Sequence, residues 1–335
     1  MPSSNATERT VLVLGANGRF GLAAAQAFAA AGWRVLAQVR RDGAPGMPSE
    51  ATLVRASLAE LAGAVAPAPT PGVVVHAVNP LYTRWSEEAL PAARQGMDLA
   101  ERVAARFMLP GNVYNFGAAM PERIDEATPQ RPTTEKGRIR AAMEGELEAR
   151  ARAGRVRATV VTAGDFFGAG AGSWLDQAIV RSIARGRLVY PGDPRLVHAW
   201  AYLPDLARAF VALAELDALA PFERFAFAGH SVRGETFLAA LEDAAASLGL
   251  TPPNGWRHGR MPWPLIRLGG LVVPMWREIA TMSYLWRVPH ALDGAKLAAR
   301  CPGLAATPLG EALRASLVAL GLAADKRVAP AAHGR

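Results

Sequence analysis

Lys136 and Arg140 stand four residues apart in the stretch "TTEKGRIRAAMEGEL", Thr133–Leu147. On a helix that spacing puts both side chains on one face. An arginine does not give up its proton in a protein, so Arg140 can only donate hydrogen bonds and supply positive charge. A lysine has an ordinary pKa of about 10.4, which burial or a neighbouring cation lowers. Lys136 therefore reads as a general acid for a carbonyl or imine under reduction, or as charge that stabilises a developing alkoxide. The charged start "EKGRIR" equally suits a lysine in solvent, and that alternative stays open. In "NPLYTRW", Tyr82 is a second proton donor, Trp85 offers a flat face to a substrate, and Asn79 opens the segment. In "AGDFFG", Asp165 suits orienting a substrate hydroxyl or amine, or bonding the amides of its own loop, with Phe166 beside it. Tyr114 reads more readily as core.

A second constellation is glycine-rich. "GANGRFG" sets Gly15, Gly18 and Gly21 between an apolar run, "TVLVLGA", and an alanine-rich helical pattern, Phe20–Gly32. The first glycine permits a tight turn, the second a close backbone approach to pyrophosphate, and the third close packing of helix on strand. The helix amino terminus then attracts phosphate. Asn17, Arg19 and Phe20 fill the turn and are expected against the same ligand. The second strand ends in "VRR", where an acid would accept hydrogen bonds from a ribose 2′-hydroxyl. Arg40 and Arg41 instead offer donors and charge to a 2′-phosphate, and Arg19 is expected to join them. The expected cofactor is NADP(H).

Strands and helices must alternate to position these groups. Strands are predicted at Thr10–Ala16, Arg34–Arg40, Ala51–Ser57, Gly72–Asn79, Asn112–Ala118 and Arg157–Gly168. Helices are predicted at Ala89–Arg106, Thr134–Ala153 and Ser173–Gly186, and the stretch His198–Leu216 holds a short strand and a helix. The expected fold class is α/β: a Rossmann-type doubly wound parallel sheet with a smaller C-terminal substrate lobe. The expected division is 8–165 plus about 196–218 for the nucleotide domain and 166–195 plus 219–322 for the lobe. A flexible tail is expected at 323–335, and Ala66–Gly72 reads as a Pro-Ala loop. Trp256–Trp286 holds four of the eight tryptophans and is expected to form a packed cap or interface.

The glycine pattern, strand spacing and length resemble the short-chain dehydrogenase/reductase superfamily in its extended or atypical form, which includes NAD(P)-dependent epimerases and dehydratases. The resemblance implies a serine, a tyrosine and, four residues on, a lysine as the chemical groups. Here the tyrosine and lysine positions hold Lys136 and Arg140, and the serine position falls at Phe116 or Gly117. It further implies that Ser57 stands where an aspartate often contacts adenine, with Leu58 next to it. Ala77 and Val78 pass the cofactor at the end of the fourth strand, and Ala163 and Asp165 line its reactive end after the sixth. The implied role of Arg140 is to hold the nicotinamide ribose.

Bulk properties narrow the rest. The chain has 335 residues, 51% hydrophobic and 20% charged, enough for a sizeable core. Its net charge of +8 comes from scattered basic residues, so no nucleic-acid partner is expected. A lone cysteine, Cys301, excludes a disulfide framework, and the six histidines lack metal spacing. Met1–Arg9 is polar, so no secretory signal is expected, and a cytoplasmic protein is. "PWPLIRLGGLVVPMW" is too short to span a bilayer and is broken by Arg267 and prolines, so no membrane partner is expected. No nucleophile elbow or P-loop appears. The leading expectation is an oxidoreductase passing hydride to or from a small carbonyl, imine or alcohol carbon, as a monomer or homodimer. A non-catalytic NADP-binding regulator is the second. A nucleotide-sugar epimerase or dehydratase with a rewired acid/base is the third, with Arg233, Arg257, Arg260 and Arg267 as phosphate ligands.

Overall fold

The computed structural model describes residues 9–63 and 69–323; most of the expected tail and part of the Pro-Ala loop lie outside them. The chain begins β1 (Thr10–Leu14), α1 (Arg19–Ala30), β2 (Arg34–Val39), β3 (Thr52–Arg55), α2 (Leu58–Gly63), β4 (Val73–His76) and α3 (Trp85–Arg102). It continues β5 (Arg106–Asn112), β6 (Arg123–Ile124), α4 (Glu135–Arg152), β7 (Arg157–Ala163), β8 (Asp165–Phe167), β9 (Arg187–Tyr190), β10 (Val197–Tyr202) and α5 (Leu203–Ala214). Then come β11 (Phe222–Ala226), β12 (His230–Arg233), α6 (Gly234–Ser247), β13 (Arg257–Arg260), α7 (Trp263–Gly269) and α8 (Pro274–Thr281). The last elements are β14 (Ala291–Leu292), α9 (Ala295–Arg300) and α10 (Leu309–Ala319).

Seven strands form one sheet in the order β11-β7-β5-β4-β1-β2-β3, and every pairing is parallel. Such a sheet is covered on both faces, which is why Val11–Leu14 of β1 and Val73–Val75 of β4 are unbroken apolar runs. One face packs Phe20 and Phe28 of α1 against Phe210 of α5. The other packs Met97 of α3 and Met143 and Leu147 of α4 over Phe107. The strand order reverses between β1 and β4, so the crevice for a ligand opens at the carboxyl ends of these two strands. A third cluster, centred on Phe167, Trp200, Phe237 and Trp286, forms the core of the smaller lobe.

Several elements differ from expectation. The fifth strand is Arg106–Asn112 rather than Asn112–Ala118, and the helix before it ends at Arg102. The boundary carries no glycine: Ala104, at φ 53°, makes the left-handed step out of the helix. Pro110 and Gly111, just ahead of the expected strand, lie inside this central one. A Cβ on Gly111 would lie 3.1 Å from the Thr162 hydroxyl and 3.2 Å from Glu144 on α4, so α4 packs close over the strand here. The helix expected at Ser173–Gly186 is a π turn, Leu175–Ile179, followed by a 3₁₀ turn, Ile183–Arg185. The strand at Phe222–Ala226 pairs with β7 as the edge of the large sheet, not with the lobe.

Candidate active site

The glycine turn between β1 and α1 has the form a dinucleotide needs. Gly15 lies at φ +73°, and a Cβ there would press on Val78 and Ala77 at 3.0–3.1 Å. A Cβ on Gly21 would come within 2.2 Å of the Gly15 carbonyl, so only glycine lets α1 start this close to β1. Gly18 is the N-cap and brings no side chain to cap the helix, and no acid stands in its first turn. The amino terminus of α1 is thus free to hold an anion. Arg19 Nη1 is buried with no hydrogen-bond partner among the described residues. Burial lowers the Arg19 pKa, while Asp176, Tyr82 and Asp165 favour its charge. The residues present fit a nicotinamide dinucleotide.

Across the crevice, Thr134 caps α4 by accepting from the Gly137 amide at 3.1 Å. A Cβ on Gly137 would lie 2.4 Å from the Tyr114 carbonyl, so α4 closes tightly on the 3₁₀ turn Val113–Phe116. That closeness brings Lys136, only 4% exposed, to a Nζ position 5.0 Å from the Tyr82 ring centroid. Lys136 forms an ion pair with Glu278 of α8. The Tyr82 and Tyr114 hydroxyls share a hydrogen bond of 2.8 Å. Burial pushes both phenols above their ordinary range, Tyr114 the further. Arg140 donates to the Pro110 carbonyl at 3.1 Å and lies 5.2 Å from the Trp85 ring centroid. Its Nε is buried and unpartnered among the described residues. Burial, reinforced by Arg140, holds His76 down to about 3.

The third wall comes from the lobe. Asp165 opens β8, which pairs with β10, and its Oδ2 lies 2.9 Å from His198 Nε2; both side chains are buried. His198 stacks on Trp286 with centroids 4.2 Å apart and planes 3° from parallel. His290 packs edge-on against His198, and burial, followed by His198, lowers it to about 4. The Asp165 carboxylate also disfavours ionisation of Tyr82, Tyr114 and Tyr284, after their burial.

The structure thus brings Arg19, Tyr82, Lys136, Arg140 and Asp165 to one region. Trp85 is there but buried, donating Nε1 to the Pro80 carbonyl at 2.9 Å and offering no free face to a substrate. Asn79 is exposed, and Phe166 packs on Phe20. Asn17 laces the turn to the next loop, bonding the Asp42 carbonyl and the Ala44 amide at 2.8 Å each. Ser57 and Glu60 form a reciprocal capping box at the start of α2, with Leu58 packed on the core. Arg40 and Arg41 are exposed at the end of β2. Because β5 ends at Asn112, Phe116 and Gly117, expected at the end of the strand, lie beyond it at the close of the 3₁₀ turn, where Phe116 is buried. Sequence reasoning read Tyr114 as core, where the structure buries it, and did not single out Asn112, His198 or Glu278; the strand boundary hid Asn112. Glu278 is 142 residues from its partner and carries no local signal. Among the described residues no group of three or more His, Cys, Asp or Glu could hold a metal ion.

With this geometry, known proteins give a consistent answer. The model of the NAD dependent epimerase/dehydratase family matches residues 11–226. An epimerase-like protein from Burkholderia cenocepacia J2315 superposes with a TM-score of 0.71 at 19% identity, over 95% of this chain and 99% of that one. UDP-glucuronic acid 4-epimerase from Bacillus cereus, in complex with NAD, does so with a TM-score of 0.70 at 14% identity, over 92% and 96%. UDP-glucose 4-epimerase from Thermotoga maritima, with UDP-glucose, gives 0.69 at 14% identity, over 92% and 98%. No curated protein sequence matches the chain.

Proposed function

The chain belongs to the NAD dependent epimerase/dehydratase family, and from that premise we propose an enzyme that oxidises and re-reduces a hydroxyl-bearing carbon of a nucleotide-sugar-class substrate. Lys136 replaces the usual tyrosine. The bound nicotinamide would supply the hydride acceptor. Gly15, Gly18, Gly21 and the start of α1 would hold its pyrophosphate. Arg40 and Arg41, exposed beyond β2, support a preference for NADP over NAD. Arg140 keeps positive charge beside the ribose position. In oxidation Lys136 Nζ takes the hydroxyl proton as its own proton passes to its partner Glu278, and in re-reduction the two transfers run in reverse. Tyr82 and Tyr114, raised by burial, remain protonated phenols and do not act as bases. A cavity of about 400 Å³ in the lobe is lined in part by Arg185, Arg187 and Arg257, donors that would suit an anion.

The observation that carries this reading is the buried Lys136 beside the Tyr82 ring. A panel of nucleotide sugars incubated with NADP⁺ or NAD⁺ tests it by NMR of the sugar. Interconversion without net change in nicotinamide absorbance, lost in Lys136→Ala, is the expected result. Undiminished turnover in that variant overturns the role of Lys136. The paired phenols also favour a second reading, net reduction of a small carbonyl or imine, in which a donor protonates the alkoxide. Stoichiometric NADPH consumption in the same assay marks that reading instead.

A further inference from the structure

The strongest unexplained surface is the helical hairpin α7–α8. Leu271 and Val272, at the turn between the helices, are 81% and 84% exposed, and Leu265 and Leu268 exceed 60%. Trp276, at the start of α8, is also exposed, as is Leu81 beside the 3₁₀ turn Tyr82–Arg84 against which α8 packs. Water-exposed leucines and valines at this density mark an interaction surface rather than ordinary surface scatter.

Its charge identifies the partner. Residues 256–287 contain five arginines and a single acid, Glu278, which is turned inward to Lys136. Arg267 and Arg277 are exposed on the two helices of the hairpin itself. An apolar tip with an exposed tryptophan and flanking arginines matches a surface that sinks shallowly into lipid while its cations meet anionic headgroups. A protein partner or second copy would need acids to meet those arginines, and this chain's own surplus is basic, at +8. No helix among the described residues is long and apolar enough to cross a membrane, so the contact is with one face of a bilayer.

We propose that the α7–α8 hairpin docks this protein on an anionic lipid bilayer. The docking helix α8 also carries Glu278, so the bilayer face and the Lys136 site share one element. Docking itself is independent of which reaction the site performs.

Co-sedimentation of the full chain with vesicles tests the proposal. Vesicles of phosphatidylcholine with phosphatidylglycerol should carry the protein down, and vesicles of phosphatidylcholine alone should not. The double variant Leu271→Glu/Val272→Glu changes only exposed side chains, and its partitioning should fall at least tenfold with an unchanged circular dichroism spectrum. Arg267→Gln/Arg277→Gln should weaken binding to the anionic vesicles, and added salt should do the same. The proposal is overturned if the protein stays in the supernatant with anionic vesicles, or binds both vesicle types equally. It is also overturned if Leu271→Glu/Val272→Glu binds as well as the parent. Sedimentation equilibrium covers the remaining occupant: a dimer that this variant converts to monomer, without vesicle binding, assigns the hairpin to a second copy.

Discussion

Lys136 spends its charge on Glu278 and its position on Tyr82. That division separates two variants. On the proposed reading Lys136→Ala removes the group that handles the proton, and kcat should fall by about 10²–10⁴-fold, the usual worth of general acid–base catalysis. Nucleotide affinity, measured by calorimetry, should stay within a few-fold of the parent. Glu278→Gln keeps the lysine and removes its counter-charge and proton partner, so the loss should come with a displaced pH–rate profile. Buried imidazoles set a different pH effect. In the unfolded chain each histidine binds its proton as pH falls through about 6.5. In the fold His290 waits until about 4 and His76 until about 3. Between those limits the unfolded chain holds more protons. The stability they contribute is therefore complete above about 6.5 and is lost as pH falls towards 3, by a few kcal/mol at order of magnitude. Urea denaturation across that range measures it, and a flat profile contradicts it.

Elements place these residues through a few close approaches. Gly137→Ala would set a Cβ 2.4 Å from the Tyr114 carbonyl and push α4 off the 3₁₀ turn. Activity should drop sharply while far-ultraviolet circular dichroism is unchanged. Thr134→Ala removes the α4 cap and should cost about 1 kcal/mol in thermal or urea unfolding. Gly21→Ala meets backbone at 2.2 Å and should weaken dinucleotide binding at least tenfold by calorimetry. The glycine turn was readable in sequence because its function needs glycine at fixed spacing, and the parallel sheet because its strands are apolar runs. That Lys136 and Arg140 share one stretch of α4 was readable from their four-residue spacing in a helical pattern. The strand end at Asn112 was obscured when an alanine took the left-handed step that glycine usually signals. Glu278 was obscured because nothing within its own helix points to Lys136.

At the scale of the molecule, the large sheet is not closed by the first half of the chain. Its outer strand, β11, comes from residues 222–226, after the chain has already left for the lobe and returned through α5. During synthesis, everything up to β7 leaves the ribosome with an unpaired, apolar strand edge. Parallel pairs of this kind form late, because a long loop must close first. An exposed edge is also a template for aggregation. A fragment ending at residue 218 should therefore be recovered mainly in the insoluble fraction, whereas one ending at residue 323 should remain soluble and bind nucleotide. The nascent chain thus passes through a stretch of vulnerability about sixty residues long, counted from the end of β7 to the end of β11, in which a chaperone has most to protect.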